Sequence, residues 1–281
     1  MYNGTVKLLV TLMIGLACLA STAVGQYAVT NGLVSYWPMD KDTIQGDKVK
    51  DVWGGQDATI NGSPKVVEGK VGDALQFNGS SDWLLVTDDI NKARIPKKEM
   101  TVEAWVYPEE FDEWGGFLAC FQDNGGFEKG WGLGTVNNAE GAGPNEFSFA
   151  VSTEGADDGD GDLIYFHAGP YDPGKWYHVV GVYDGEKTKL YVNGELVVDS
   201  AGQSGDINYP DHAFLVIGVY KDDNEHDPFK GKLDEIRLYD RALSESEVLQ
   251  NYAAEGLAVE PVGKLGLTWG AIKIKGSALI P

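Results

Sequence analysis

The sequence predicts an all-β protein: a two-sheet antiparallel β-sandwich with one short helix near its C-terminal end. Three observations predict it. Short runs of β-branched and aromatic residues recur along the 281 residues, several alternating strictly between apolar and polar. Gly, Asn and Asp punctuate the runs, as turns between short strands require. The chain also carries 37 Gly, 8 Trp, 13 Tyr and 10 Phe, with 43% hydrophobic residues, a composition that builds a packed core and excludes intrinsic disorder.

The elements follow in order. Residues 1–25 read as an export signal rather than fold: Lys7 is the one charge before an apolar run over 8–19, and small residues follow to Gly25, where the cut is expected. Cys18 lies in Gly15-Leu16-Ala17-Cys18, a poor lipobox. The run is short for a membrane span and no later segment approaches the length, so the mature chain is expected without one, secreted or held at the cell surface or in a periplasm. Strands are expected at 33–37, 74–77 and, after Asn78-Gly79, 83–86. Residues 101–107 alternate and stop at Pro108, and 116–121 form an apolar run holding Cys120, read as a small buried hydrophobe. Further strands fall at 146–151, 176–183 and 189–192. The last of these meets Asn193-Gly194, a tight-hairpin turn whose two central residues take φ > 0. Residues 214–219 and 232–239 complete the set. Ser244 then caps a helix over 245–254, with Glu247 closing a capping box and Gly256 ending it. Residues 257–281 read as an extension, basic at Lys264, Lys273 and Lys275.

Charge narrows the function. With 22 Lys and Arg against 43 Asp and Glu, the formal charge is −21 and phosphate backbones are repelled, which excludes nucleic-acid partners. Two cysteines make neither a disulfide framework nor a zinc site.

Four segments resemble one family. They are LVSYWPMD at 33–40, LQFNGSSDWL at 75–84 followed by MTVEAWVYP at 100–108, GKWYHVVGVYDG at 174–185 leading to LYVNG at 190–194, and FKGKLDEIRLYDRALS at 229–244. Together they resemble the LamG-like jellyroll domains of the concanavalin A-like lectin/glucanase superfamily, over residues 32–252. The resemblance implies a jellyroll, and a structural calcium where the first and last strands meet. Calcium takes several hard oxygen ligands from loops. The candidates are Asp40, Asp51, Asp57 and Asp234, with Asp82 in the 78–82 turn. The run at 158–162 places Asp at positions 1, 3 and 5 of an EF-hand loop, but Leu163 and Gly169 stand where Gly and Glu are needed, so it reads as a solvated loop.

Glycoside hydrolysis needs two carboxylates across a cleft. The superfamily's glucanases carry Glu-x-Asp-x-Glu on a strand. Glu110 and Asp112 imitate it, but Trp114 replaces the third acid and the stretch follows Pro108, where a strand has ended. Asp234 and Glu235 are neighbours, expected on opposite faces of a strand. The polar loop at 222–227 reads as solvated and His178 as a core residue. Sugar recognition needs aromatic faces with polar side chains beside them. Alternation puts Thr101, Glu103, Trp105 and Tyr107 on one face. Tyr191 and Arg237 project the same way if their strands share that sheet, which would make a concave polar-aromatic surface. Trp114, Trp131 and Tyr220 are expected on loops. The expectation is an exported, non-catalytic module that binds carbohydrate or another extracellular ligand, a glycan or a cell-surface protein, through Trp105, Trp114, Trp131, Tyr191, Tyr220 and Arg237. Its alternatives are a protein–protein adhesion module and a glycoside hydrolase or lyase.

Overall fold

The computed structural model describes residues 27–110, 113–124, 127–155 and 163–254. The expected signal at 1–25, the run at 158–162, Asp112, Gly256 and the extension at 257–281 lie outside the described residues.

Two antiparallel sheets face each other, as the sequence predicts. One has eight strands, in the order β15 (Glu195–Ala201), β14 (Lys187–Val192), β13 (Tyr177–Tyr183), β8 (Met100–Pro108), β19 (Lys230–Tyr239), β6 (Asp73–Asn78) and β5 (Lys65–Glu68), with β1 (Leu33–Trp37) also paired to β19. The other has nine: β12 (Ile164–Ala168), β11 (Glu146–Val151), β10 (Glu128–Val136), β9 (Trp114–Asp123), β16 (Phe214–Ile217), β7 (Trp83–Thr87), β4 (Ala58–Asn61), β3 (Lys48–Val49) and β2 (Ile44–Gln45). A hairpin of β17 (Val219–Lys221) and β18 (His226–Pro228) follows β16, and the helix α1 spans Glu245–Tyr252.

Alternation decides what lies between the sheets. Val102, Ala104 and Val106 of β8 join Leu118, Cys120, Trp131, Leu133, Phe147 and Phe149 of the opposite sheet in one buried core. The Asn193-Gly194 turn has φ of 54° and 81°. The helix carries the expected capping box: Ser244 accepts from the Glu247 amide while the Glu247 carboxylate accepts from Ser244 N.

The structure departs from the sequence reading in several places, and Tyr220, expected on a loop, lies in strand β17. Trp131, expected on a loop, is fully buried in β10, where Gly130, Gly132 and Gly134 alternate with Trp131 and Leu133 and leave the outer face bare. Trp114 likewise belongs to a strand, β9. The run at 214–219 breaks at Gly218, whose φ is 77° and where a Cβ would stand 2.7 Å from the Phe77 ring.

Candidate functional site

The face expected to be open is covered. The N-terminal segment and α1 lie over the outer face of the eight-stranded sheet, closing a second apolar cluster of Val29, Tyr36, Val180, Tyr191, Tyr239 and Val248. Arg237 is buried there. Its Nη1 donates to Glu103 Oε1 at 2.9 Å, its Nη2 pairs with Glu235, and its guanidinium lies 4.6 Å from the Tyr36 ring centre. Asn251 of α1 ties the layers together. Its Nδ2 donates to both Glu103 oxygens at 3.0 Å and to Tyr239 Oη at 2.9 Å, while its Oδ1 accepts from Val29 N at 2.7 Å. Burial pushes the Glu103 carboxyl up, but His178 and Arg237 outweigh it and hold it at about 2. Trp105 is buried beneath Tyr252, stacked at 5.5 Å and 24°. Trp105, Tyr191 and Arg237 therefore hold the helix down and do not face solvent. Alternation alone showed which way they point, but carried no sign of what covers them.

The acids proposed for calcium divide in two. Asp51 is a turn former: Oδ1 accepts from Tyr36, Trp53 and Gly54 amides and Oδ2 from Gln56 N. Asp57 pairs with Lys50 at 2.6 Å, and Asp82 Oδ1 accepts from Ser63 N at 2.8 Å. Asp40 and Asp234 instead grip one turn from two sides. Asp40 Oδ1 accepts from Asp73 N at 2.8 Å, and Asp234 Oδ2 accepts from Lys70 N and Val71 N at 2.8 and 2.9 Å. Asp234 Oδ1 is buried without a partner, and burial, with Glu235 beside it, lifts this carboxyl to about 8. Among the described residues no group of three or more His, Cys, Asp or Glu is placed to hold a metal.

Asp234 and Glu235 do not sit on opposite faces. Leu233 and Ile236 both point into the core, and a bulge between Asp234 and Arg237, with Glu235 at φ 53°, turns both acids outward. The two carboxylates are nonetheless buried, and Tyr36 Oη donates to Glu235 at 2.5 Å. Glu110, of the glucanase-like stretch, pairs with Lys230.

The outer face of the nine-stranded sheet is different. Gly132 and Gly134 of β10, Ala119 of β9, and Ser148 and Ala150 of β11 give it a floor of small residues. Aromatic rings stand around that floor. Trp114 stacks on Tyr220 at 5.1 Å and 27°, Tyr165 lies 5.5 Å from Trp114, and Phe121 lies 4.2 Å from Tyr220. They enclose about 340 Å³ of space that includes open solvent, and within it there is room for about one water. Trp114, Tyr165 and Tyr220 are half-buried, so their remaining surface forms the rim. Ser148 is 6% exposed and its hydroxyl has no partner.

The rim is acidic. Tyr220 Oη meets Tyr165 Oη at 3.3 Å and Asp123 Oδ2 at 3.5 Å. Burial raises both phenols, with nearby acids adding to it, so both remain hydroxyl donors. Burial, Asp123, Asp222 and Asp227 raise Glu225. Asp222 itself braces the loop, accepting from Asn224, Glu225 and Asp123 amides. Of the six aromatic and cationic candidates, Trp114 and Tyr220 come together here. Phe121, Tyr165 and Ser148 escaped sequence reasoning. The available signal was the Gly-x-Gly-x-Gly alternation of β10, which marks a strand with one bare face.

Two large antiparallel sheets packed face to face, with one short helix, make a jellyroll β-sandwich. A family model described as Concanavalin A-like lectin/glucanases superfamily, Laminin_G_3, matches residues 78–249, more than half of the chain, and the chain belongs to that family. Pappalysin-1 of Mus musculus is 26% identical over 189 residues, 66% of this chain and 11% of the relative. Pappalysin-1 of Homo sapiens is 25% identical over 188 residues, 65% and 11%. The chain thus spans about a tenth of the length of these relatives. Among solved structures, domain 4 of AbnA, an extracellular arabinanase of Geobacillus stearothermophilus in complex with arabinotriose, superposes with a TM-score of 0.56 at 20% identity, over 78% of this chain and 98% of that one. Trypanosoma rangeli sialidase in complex with sialic acid gives 0.55 at 18%, over 80% and 33%. The binding domain of Paraclostridial Mosquitocidal Protein 1 gives 0.56 at 15%, over 79% and 52%. At these identities the likeness is one of fold.

Proposed function

We propose that this chain is an exported, non-catalytic binding module that takes carbohydrate on the outer face of the nine-stranded sheet. The observation that carries this reading is the partly exposed cluster of Trp114, Tyr165 and Tyr220 around a floor of Gly and Ala that holds the partnerless Ser148 hydroxyl. A pyranose or furanose presents C–H faces that stack on such rings and hydroxyls that need donors and acceptors beside them. Ser148, the two phenols and Asp123 supply both kinds. The depression has room for about one water, so a sugar ring would lie on the rim rings and place one hydroxyl in it. The arabinanase domain, a sandwich of this fold seen with arabinotriose, supports a short neutral oligosaccharide as ligand.

The acids support a binding role over hydrolysis. Asp234 and Glu235 are buried against the turn and the Arg237 network, and Glu110 is paired, so none of these stands across an open cleft. Calcium, where bound, would be held by Asp40 and Asp234 against the turn between them. The orphaned, buried Asp234 oxygen fits a cation, and the ion would fix loop geometry.

Retention on a panel of polysaccharides and oligosaccharides tests the reading. Trp114→Ala is expected to weaken retention about tenfold, about 1.4 kcal/mol, and to lower the melting temperature by the ring packing it removes while the protein still folds. Silence of the parent protein across the panel would move the search to protein partners. For calcium, the melting temperature should rise with the ion and fall in EDTA, and Asp234→Asn should remove that difference. An identical melting curve in both buffers would remove calcium from the description.

A further inference from the structure

A second depression lies elsewhere, a groove of about 590 Å³ between the start of β1, the short 3-10 turn at Ile90–Lys92 and the segment before β8. Ile90, Ile95 and Tyr209 give it an apolar lining, Arg94 and Lys97 stand exposed along it, and Asp240 lies on it as well. Lys92, Arg94, Lys97 and Lys98 bring four of the chain's 22 cations into seven residues, on a protein whose net charge is −21. Lys92 is held by Asp89 at 2.9 Å. Neither Arg94 nor Lys97 has an ion-pair partner among the described residues.

The backbone beneath these two cations is clamped. Gln56 grips Arg94 from both sides, its Oε1 accepting from Arg94 N at 2.5 Å and its Nε2 donating to Arg94 O at 3.1 Å. The Arg94 guanidinium is laid over Gly54, where a Cβ would come within 2.6 Å of Nη2, so the glycine admits it. Asp51, beside the same glycine, has given its oxygens to backbone amides. Ile207 N donates to Lys97 O at 2.7 Å, and Tyr209 is fixed by donating to Pro96 O at 2.8 Å and accepting from Trp131 Nε1 at 2.7 Å. Asp51 Oδ2 lies as near to a Cβ at Gly54, 2.6 Å, as the guanidinium does, so the Arg94 charge is partly offset. Two exposed cations on a pinned backbone beside an apolar lining remain a prearranged site for an anion with an apolar face.

We propose that this groove binds a short acidic oligosaccharide, one whose sugar units carry carboxylates. The guanidinium takes a carboxylate through two parallel hydrogen bonds, the ammonium adds a second charge contact, and the C–H faces of the sugar lie on Ile90, Ile95 and Tyr209. The volume matches two or three sugar units. The overall negative charge selects against long polyanions, whose repulsion grows with every added charge.

Titration of the full chain with trigalacturonate and with its neutral methyl ester tests this. We expect the acid to bind at millimolar or lower concentrations, more weakly as salt rises, and the ester to bind at least about tenfold more weakly. Arg94→Gln and Lys97→Gln are surface changes that leave the melting temperature in place, and each should weaken the acid about three- to tenfold. Trp114→Ala should leave this binding unchanged, which separates the groove from the aromatic depression. Equal binding of acid and ester, full binding by the Arg94→Gln/Lys97→Gln double variant, or no binding of the acid at all would overturn the proposal.

Discussion

The two outer faces of the sandwich are built from similar strands and end in opposite states. On the eight-stranded sheet, long side chains project outward and a helix closes over them. On the nine-stranded sheet, the outward positions of β10 are glycines, and the rings of Trp114, Phe121, Tyr165 and Tyr220 gather around the small space they leave. Where the outward residues are charged, as at Glu103, Glu235 and Arg237, burial is tolerable only because each finds partners: Tyr36, His178, Asn251 and one another. Where they are small, the face stays open and aromatic rings gather at its edge. A covered face gives stability, and a bare one gives room for a ligand.

That contrast can be broken or sharpened experimentally. The largest effect belongs to Arg237→Ala, which leaves Glu103 and Glu235 buried without their cation. It should cost about 3–5 kcal/mol in urea unfolding, and a loss under about 1 kcal/mol would show that the covered face is not held by this network. Asn251→Ala should cost about 2–3 kcal/mol by freeing Val29 N, Tyr239 Oη and Glu103 together. Acid should weaken the same face. Glu103 is held at about 2, below its ordinary 4.5, so its contribution is complete above pH 4.5 and is lost as pH falls from there through about 2. Glu103→Gln should flatten the stability–pH curve across that window.

On the open face the expected changes are in binding rather than stability. Gly132 has ordinary backbone angles, and a Cβ there would meet Ala119 Cβ at 3.5 Å, a normal contact. Gly132→Val should therefore fold, fill the depression and abolish retention on the glycan that the parent binds. A Gly132→Val protein that binds like the parent would move the site elsewhere. The smallest effect is chemical. Burial pushes the Cys120 thiol to about 12, so alkylation of the native protein should be negligible until denaturant is added.

Strand positions, the hairpin turn and the capping box could be read from sequence because each is set by near neighbours. Alternation assigned the outward direction of Trp105, Tyr191 and Arg237 correctly. It gave no hint of their cover, because Tyr252 and Asn251 of α1 and Val29 of the N-terminal segment reach that face from distant parts of the chain. The pair Asp234 and Glu235 defeated alternation, since the bulge between Asp234 and Arg237 turns both acids to the same face. β10 was missed because glycine carries little strand propensity, although its bare face is what opens the depression.

Gln250 Nε2 donates to Tyr27 O at 2.8 Å, one residue before Asn251 takes Val29 N. The entry and exit of the fold are thus buttoned together on one side, far from the glycine floor on the other. Such a unit behaves as a cassette. Spliced into a loop of a larger polypeptide, it would hang by two adjacent strings without prying its host apart, its glycine-floored side turned outward.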